Sequence, residues 1–286
     1  MKRLTTIISM FLLLACSTFG FAENQFSIFG GKTVKASNRY VTKDIRVSNF
    51  NKIELSGSPD VIYRQKAGKP SVEVYTSDNI VDLLDIYVKD GTLVVKFKKG
   101  VRVSYNKLEI RVSSERINDI RIAGSGDIKL AGHIKTDDMN ISIAGSGDIN
   151  GENISSTGGF KVSIAGSGDT ELNNIHCNDL SLSIAGSGDM KINNAVTSGS
   201  TNVAIAGSGT VKLSGSSQEA ELKISGSGDL YASGYQAKRV SATVSGSGNI
   251  ECYATEFLKA RTSGSGSVGY KGNPEIDYPK KGLHKL

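Results

Sequence analysis

Apolar and polar residues alternate on both sides of a Gly-Ser-Gly motif, which recurs eight times between residues 124 and 266. The first glycines of successive motifs are 18 to 21 residues apart. Strict alternation predicts half-buried strands, and β-branched side chains favour strand over helix. The position two residues before each first glycine holds Ile122, Ile143, Ile164, Ile184, Ile205, Ile224, Val244 and Thr262. The fourth position after it holds Ile128, Ile149, Thr170, Met190, Val211, Leu230, Ile250 and Val268.

A repeat of about 20 residues cannot bury its apolar face alone, so each repeat must stack on its neighbours. The sequence therefore predicts an all-β protein, a solenoid whose repeats form the coils of a parallel β-helix. Successive coils pair at about 4.8 Å, which gives eight coils a length on the order of 40 Å. A propeller blade needs about 40 residues, and the leucine-rich repeat has a helical half that this pattern lacks.

The region before the repeats is also predicted to form strands, but these do not follow the Gly-Ser-Gly period. Alternating runs at 72–75, 93–97 and 108–112 are separated by turn signals such as Asp90-Gly91, and Ser77 or Asp78 could cap one helical turn through Leu84. Residues 52–61 read as a degenerate copy of the repeat. We divide the chain into a signal peptide at 1–22, an N-terminal extension at 23–40, a β-rich entry region at 41–121 that caps the first coil, the parallel β-helix at 122–272 and a C-terminal tail at 273–286.

The first 22 residues have the features of an export signal. Lys2 and Arg3 precede an apolar run at 7–15, and a small-x-small site predicts cleavage after Ala22. The apolar run is shorter than a transmembrane helix. A second interpretation stays open, because the residues before Cys16 resemble a lipobox in which Cys16 would be lipidated. Either way we expect the protein to be exported, to the periplasm or to the outer membrane and cell surface.

Charge and composition narrow the functional classes. Without residues 1–22 the net charge is +4, with an excess of basic residues before Arg121 and a slight acidic excess after it. Lysines that alternate with apolar residues at 93–99 are typical of the solvent face of a strand, so we expect no nucleic-acid partner. With no Trp and 7% aromatic residues, a large aromatic-lined pocket is disfavoured.

A polar column follows the glycines. Three residues after each first glycine stand Asp127, Asp148, Asp169, Asp189, Thr210, Asp229, Asn249 and Ser267. Short polar side chains here favour turn capping, in which the side-chain oxygen accepts a nearby backbone N–H. The alternative is a calcium ladder, because stacked carboxylates repel each other and a cation would relieve that repulsion. Thr210 and Asn249 interrupt the run of charge, so we favour capping and treat the aspartates as weak ligand or metal candidates.

No catalytic motif is found in the sequence, and we expect no cofactor. Cys177 and Cys252 are separated by more than three coils, beyond disulfide reach, so both are predicted to be free, buried thiols. Cys177 is assigned to a column of small residues counted nine positions before each glycine, which includes Thr157 and Ser198. His176 adjoins Cys177 but should point to the opposite face of the strand. The adjacent pair Asp137-Asp138 reads as a loop.

The serial Ala-Gly-Ser-Gly-Asp-Ile motif, with Ser56-Gly57-Ser58-Pro59-Asp60-Val61 and Asp90-Gly91-Thr92-Leu93 before it, resembles the putative auto-transporter adhesin, head GIN domain family. The resemblance spans about residues 41–270 and implies a right-handed parallel β-helix in the envelope of Bacteroidetes-type bacteria. It supplies no catalytic residues.

Three functions remain open at this point. We favour a non-enzymatic adhesive or structural module for an unidentified glycan or envelope protein. The alternatives are a β-helix enzyme acting on polysaccharide and a calcium-binding envelope accessory protein.

Overall fold

The computed structural model describes residues 33–277 and 282–286, which form 24 strands and one helical turn. The helix, α1, is Asp78–Val81. The strands are β1 Thr33–Lys35, β2 Tyr40–Ile45, β3 Lys52–Gly57, β4 Val61–Gln65, β5 Ser71–Ser77, β6 Leu84–Lys89, β7 Thr92–Phe97, β8 Arg102–Ser104, β9 Leu108–Ser114, β10 Asp119–Gly124, β11 Ile128–Thr136, β12 Met139–Gly145, β13 Ile149–Ser156, β14 Gly159–Gly166, β15 Thr170–Cys177, β16 Asp179–Gly186, β17 Asp189–Thr197, β18 Ser200–Gly207, β19 Thr210–Gly226, β20 Asp229–Gly246, β21 Asn249–Gly264, β22 Ser267–Lys271, β23 Glu275–Asp277 and β24 Leu283–Lys285. Among these residues, no helix is long and apolar enough to cross a membrane.

The repeats stack as the coils of a parallel β-solenoid, which confirms the predicted fold. Strands before the glycines pair in the order β3, β10, β12, β14, β16 and β18, and those after them in the order β4, β11, β13, β15 and β17. The long strands β19, β20 and β21 continue both sets of strands, with shifts of register where the chain passes from one set to the other. Equivalent residues pair directly, so that Ile143 lies between Ile122 and Ile164.

The interior is built from the predicted inward columns. The isoleucines before the glycines and the apolar residues after them are at most 2% exposed, and they belong to one continuous core cluster. Neighbouring side chains in a column touch along the solenoid axis. Burial of this continuous apolar surface is the main favourable term in the stability of such a solenoid.

The entry region joins the same sheets. As expected, β3 and β4 form a coil that matches the repeats, with Gly57 opposite Gly124. On the other side of that coil, β7 pairs with β3 and β9 pairs with β4. Antiparallel strands then extend both sheets, because β6 adds to β7, β5 adds to β9 and β2 adds to β5.

The single helical turn is shorter than the sequence predicts. It ends at Val81, and Leu84 instead begins β6, where it pairs with Phe97. Ser77 occupies the N-cap position without a side-chain cap, since its hydroxyl donates to the carbonyl of Ser37.

Both glycines of the motif are required by the close approach of successive coils. Gly166 has φ +139°, and a Cβ there would lie 2.2 Å from the carbonyl oxygen of Gly145. Gly168 does not need a positive φ, but its Cβ would lie 2.2 Å from the carbonyl oxygen of Gly147. Any side chain at either position would therefore force the coils apart.

Candidate functional site

The aspartate column forms a ladder of hydrogen bonds from one coil to the next. The Oδ1 atom of Asp148 accepts the backbone N–H of Asp169 at 2.8 Å, and the Oδ1 atom of Asp169 accepts that of Asp189 at 2.8 Å. The same contact joins Asp60 to the N–H of Asp127, Asp127 to that of Asp148, Asp189 to that of Thr210 and Asp229 to that of Asn249. The carboxylates thus cap backbone groups of the following coil, whereas the sequence suggested a contact within each local turn.

The ladder is interrupted at Thr210. After Thr210, the N–H of Asp229 bonds to the backbone carbonyl of Gly209 at 3.3 Å instead of to a side chain. The ladder resumes at Asp229 and continues through Asn249, whose Oδ1 atom accepts the N–H of Ser267 at 3.2 Å. An amide oxygen can therefore take the place of a carboxylate in this contact, at a longer distance than the 2.8–3.0 Å of the aspartates.

The described residues contain no group of three or more His, Cys, Asp or Glu side chains arranged to hold a metal ion. In the column itself, one oxygen of each aspartate already accepts a hydrogen bond from the next coil.

Cys177 and Cys252 are free and buried, as predicted. Burial raises the pKa of the Cys252 thiol to about 12 and also raises that of Cys177. His176 is exposed beside buried Cys177, so the two side chains point to opposite faces. Cys177 pairs with Thr197, not with the Ser198 column, so that part of the sequence interpretation is wrong by one residue. The predicted cleavage site after Ala22 and the candidate lipid site Cys16 lie outside the described residues.

A groove of about 410 Å³ crosses the coils. It lies beside the turns that lead into the strands preceding the Gly-Ser-Gly motifs. One wall is an outward-facing column of six stacked strand residues, namely Lys52, Asp119, Asn140, Lys161, Ser181 and Asn202. The other wall contains Asp138 and Asp179, which are separated by Gly159. The backbone of the buried column Met139, Phe160 and Leu180 lies between the two walls.

Gly159 creates the notch at the centre of this groove. It pairs with Asp179 in the strand register, and its N–H donates to the Oδ1 atom of Asp138 at 2.8 Å. A Cβ at Gly159 would meet only that oxygen, at an ordinary 3.6 Å. The missing side chain thus leaves open space between Asp138 and Asp179, two exposed residues whose backbones lie two coils, or roughly 10 Å, apart.

The groove presents hydrogen-bond donors and acceptors of both signs. Asp119 is held by Arg121 through contacts of 2.8 and 3.0 Å, and it also accepts the amide of Asn140 at 3.2 Å. Lys161 is exposed and has no ion pair among the residues described. Hydrogen bonds from the backbone and hydroxyl of Ser200 lower the pKa of Asp179. The site therefore combines anionic, cationic and neutral polar groups along one line.

Sequence reasoning did not find this groove. It assigned Asp138 to a loop and did not single out Lys161 or Asp179. The one available signal in the sequence was the pair Gly158-Gly159, which stands just before an alternating strand where other repeats have polar residues.

Comparisons with known proteins support the fold and decide the family. The model of the family described as "Putative auto-transporter adhesin, head GIN domain" matches residues 49–173 and 160–274. The chain belongs to this family. Among curated proteins, none matches the chain.

Solved structures from Parabacteroides and Bacteroides species are similar to this chain. A "putative lipid binding protein" from Parabacteroides distasonis is 27% identical, with a TM-score of 0.70 over 89% of this chain and 100% of that one. A "putative adhesin" from Parabacteroides merdae is 25% identical, with a TM-score of 0.62 over 89% and 95%. A "putative adhesin" from Bacteroides fragilis is 30% identical, with a TM-score of 0.51 over 88% and 95%.

Proposed function

We propose that this protein is an exported, non-enzymatic binding module that holds a linear polysaccharide along the groove between the Lys52 to Asn202 column and Asp138/Asp179. The observation that carries the proposal is the groove itself, which spans six stacked layers with mixed polar groups. Six layers cover about 24 Å at the spacing of paired strands, which suits an extended chain better than a single sugar.

The chemistry of the walls favours a polyhydroxylated ligand. Carboxylate and amide oxygens accept from sugar hydroxyls, whereas amide N–H groups, hydroxyls and the Lys161 ammonium donate to them. Charges of both signs alternate along the column from Lys52 to Asp119 and Lys161, so the groove has no single-sign field that would select a strongly charged polymer. The names of the related structures, adhesins and a lipid-binding protein, agree with a binding role.

A hydrolytic role is less well supported. A glycosidase uses a pair of carboxyl groups, one of which must act as a general acid with a raised pKa. Asp179 has its pKa lowered by Ser200, which is opposite to what a general acid requires. We therefore assign the two aspartates to ligand binding.

Export rests on the N-terminal segment. Lys2, Arg3 and the apolar run at 7–15 direct the chain out of the cytoplasm, with cleavage after Ala22 or lipidation at Cys16 as the two routes. A polysaccharide of the envelope or of a host surface is the kind of ligand that such a protein meets.

The test is a glycan array of linear and branched oligosaccharides, probed with the purified protein in calcium and in chelator. Three variants accompany the wild type. Gly159→Gln fills the notch, and Lys161→Ala removes a hydrogen-bond donor from the groove. Lys212→Ala is the control, because it removes an exposed lysine of β19 that lies outside the groove. We expect the wild type and Lys212→Ala to share hits that both groove variants lose. Hits retained by Gly159→Gln, or an array without any hit, would contradict the proposal. Hits lost in chelator would instead give the aspartate column a metal role.

A further inference from the structure

We propose that two copies of this chain associate through β6, edge to edge and antiparallel, with Tyr87 at the two-fold axis. Among residues 33–277 and 282–286, β7 is the strand that pairs with β6, and the other edge of β6 carries no strand. An unpaired edge offers backbone N–H and C=O groups to another strand. The proposal is independent of ligand binding in the groove.

The sequence of β6 is self-complementary in this arrangement. With Tyr87 opposite its own copy, Ile86 faces Val88 and Asp85 faces Lys89 of the second chain. Each of these cross-strand pairs then occurs twice, as an isologous contact requires. Apolar pairs and opposite charges directly across an antiparallel pair each stabilise it, whereas like charges destabilise it.

The burial of β6 fits the same arrangement. Ile86 and Val88 pack against the core but are only partly buried, and Tyr87 is 36% exposed. Lys96 lies over the Tyr87 ring with its ammonium 5.3 Å from the centroid. A second β6 would extend the sheet and cover the open end of the core on one side and the tyrosine on the other.

Asp85 already has an ion-pair partner in its own chain, Lys96, but it remains available for a contact with a second chain. Its carboxylate is 3.7 Å from the ammonium of Lys96, and both side chains are about two-fifths exposed. Such an ion pair is weak, so the carboxylate can also face Lys89 of a second chain. Lys89 itself is exposed.

Charge reversal tests the proposed pairing of Asp85 with Lys89. Damage to the fold of one variant would not be repaired by mixing it with the other variant, whereas restored charge pairing would recover association. In Asp85→Lys the dimer would oppose two lysines twice, and in Lys89→Asp it would oppose two aspartates twice. A mixture of the two variants restores opposite charges at both positions. Sedimentation velocity across a concentration series measures association of the wild type, each variant, the mixture and the double variant. Asp44→Lys is the matched control, because Asp44 is an exposed carboxylate on β2, which pairs only with β5 among the described strands.

We expect reversible dimers of the wild type, roughly tenfold weaker self-association of each single variant, and recovery in the mixture and in the double variant. Asp44→Lys should behave as the wild type. A wild type that stays monomeric at every concentration, a mixture that fails to recover, or an effect of Asp44→Lys equal to that of Asp85→Lys would overturn the proposal. A wild type that dimerises reversibly but gives no hit on the glycan array would contradict the groove and leave this interface intact.

Discussion

Alanine substitutions at three glycines separate the two reasons why this solenoid needs glycine. Gly132 has φ +82° with open space around its Cβ position, so it isolates backbone strain. Gly168 has no positive φ but faces the carbonyl oxygen of Gly147 at 2.2 Å, so it isolates the contact between coils. Gly166 combines a φ of +139° with a Cβ position 2.2 Å from the carbonyl oxygen of Gly145.

The expected losses follow from these geometries. A left-handed conformation costs a non-glycine residue about 1–2 kcal/mol, which is the loss expected for Gly132→Ala. Relief of the clash at Gly168 must separate the coils by about 1 Å, which costs about 1–3 kcal/mol of overpacking and weakens hydrogen bonds between strands. At Gly166 both costs apply, and the carbonyl of Gly145 also accepts the N–H groups of Ser167 and Gly168. We expect about 2–5 kcal/mol there.

Urea denaturation followed by far-UV circular dichroism measures these losses as shifts of the midpoint at similar slope. Ser167→Ala, an exposed neighbour, should change stability by less than about 0.5 kcal/mol. Because repeat proteins can unfold in parts, hydrogen exchange should show whether the loss is centred on the substituted coil. If Gly168→Ala loses no more stability than Ser167→Ala, the argument from close coil contact is refuted.

Further predictions concern the ladder and the buried thiols. Asp169→Ala removes the acceptor of the Asp189 N–H and should lower the free energy of unfolding, measured by urea denaturation, by about 1 kcal/mol. Asp169→Asn keeps an acceptor and should lower it by less. Equal losses would show that charge, not the hydrogen bond, matters. In protein that begins at Glu23, the buried thiols of Cys177 and Cys252 should react with a thiol reagent at pH 8 only at the rate of unfolding, and fast reaction in the native state would contradict their burial. The lowered pKa of Asp179 stabilises the fold above the carboxyl's unfolded value, and this contribution is lost as the pH falls through the folded value. Asp179→Asn should therefore flatten the stability profile below about pH 4, and an unchanged acid slope would contradict the cited hydrogen bonds.

The solenoid could be predicted from the sequence because its signals are local and repeated. Ile143 stands two residues before a glycine, and this position alone predicts that it points inward. Because one period is repeated eight times, each strand is expected to pair with the equivalent strand of the next repeat. The free state of Cys252 follows from the same stacking. The degenerate copy at 52–61 could be recognised for the same reason, although Pro59 replaces the second glycine there.

Contacts that depend on the position of neighbouring coils could not be predicted. The cysteine column was displaced by one residue because the turns that contain Gly158 and Gly199 hold one residue more than the turn after Cys177. The acceptor role of Asp148 toward the next coil requires the register of two backbones, which no single repeat contains. Likewise, Lys52 and Asn202 lie far apart in sequence and share a groove only after six layers have stacked.

The groove's central role is tested most directly by the dependence of affinity on ligand length. Calorimetric titration with a series of linear oligosaccharides, from one sugar upward, compares the wild type with Gly159→Gln. If a polysaccharide lies along the six layers, affinity should rise with each added sugar, reach a plateau once the groove of about 24 Å is filled, and fall sharply in Gly159→Gln at every length. Affinity that is independent of length, or unchanged by Gly159→Gln, would contradict a linear site in this groove.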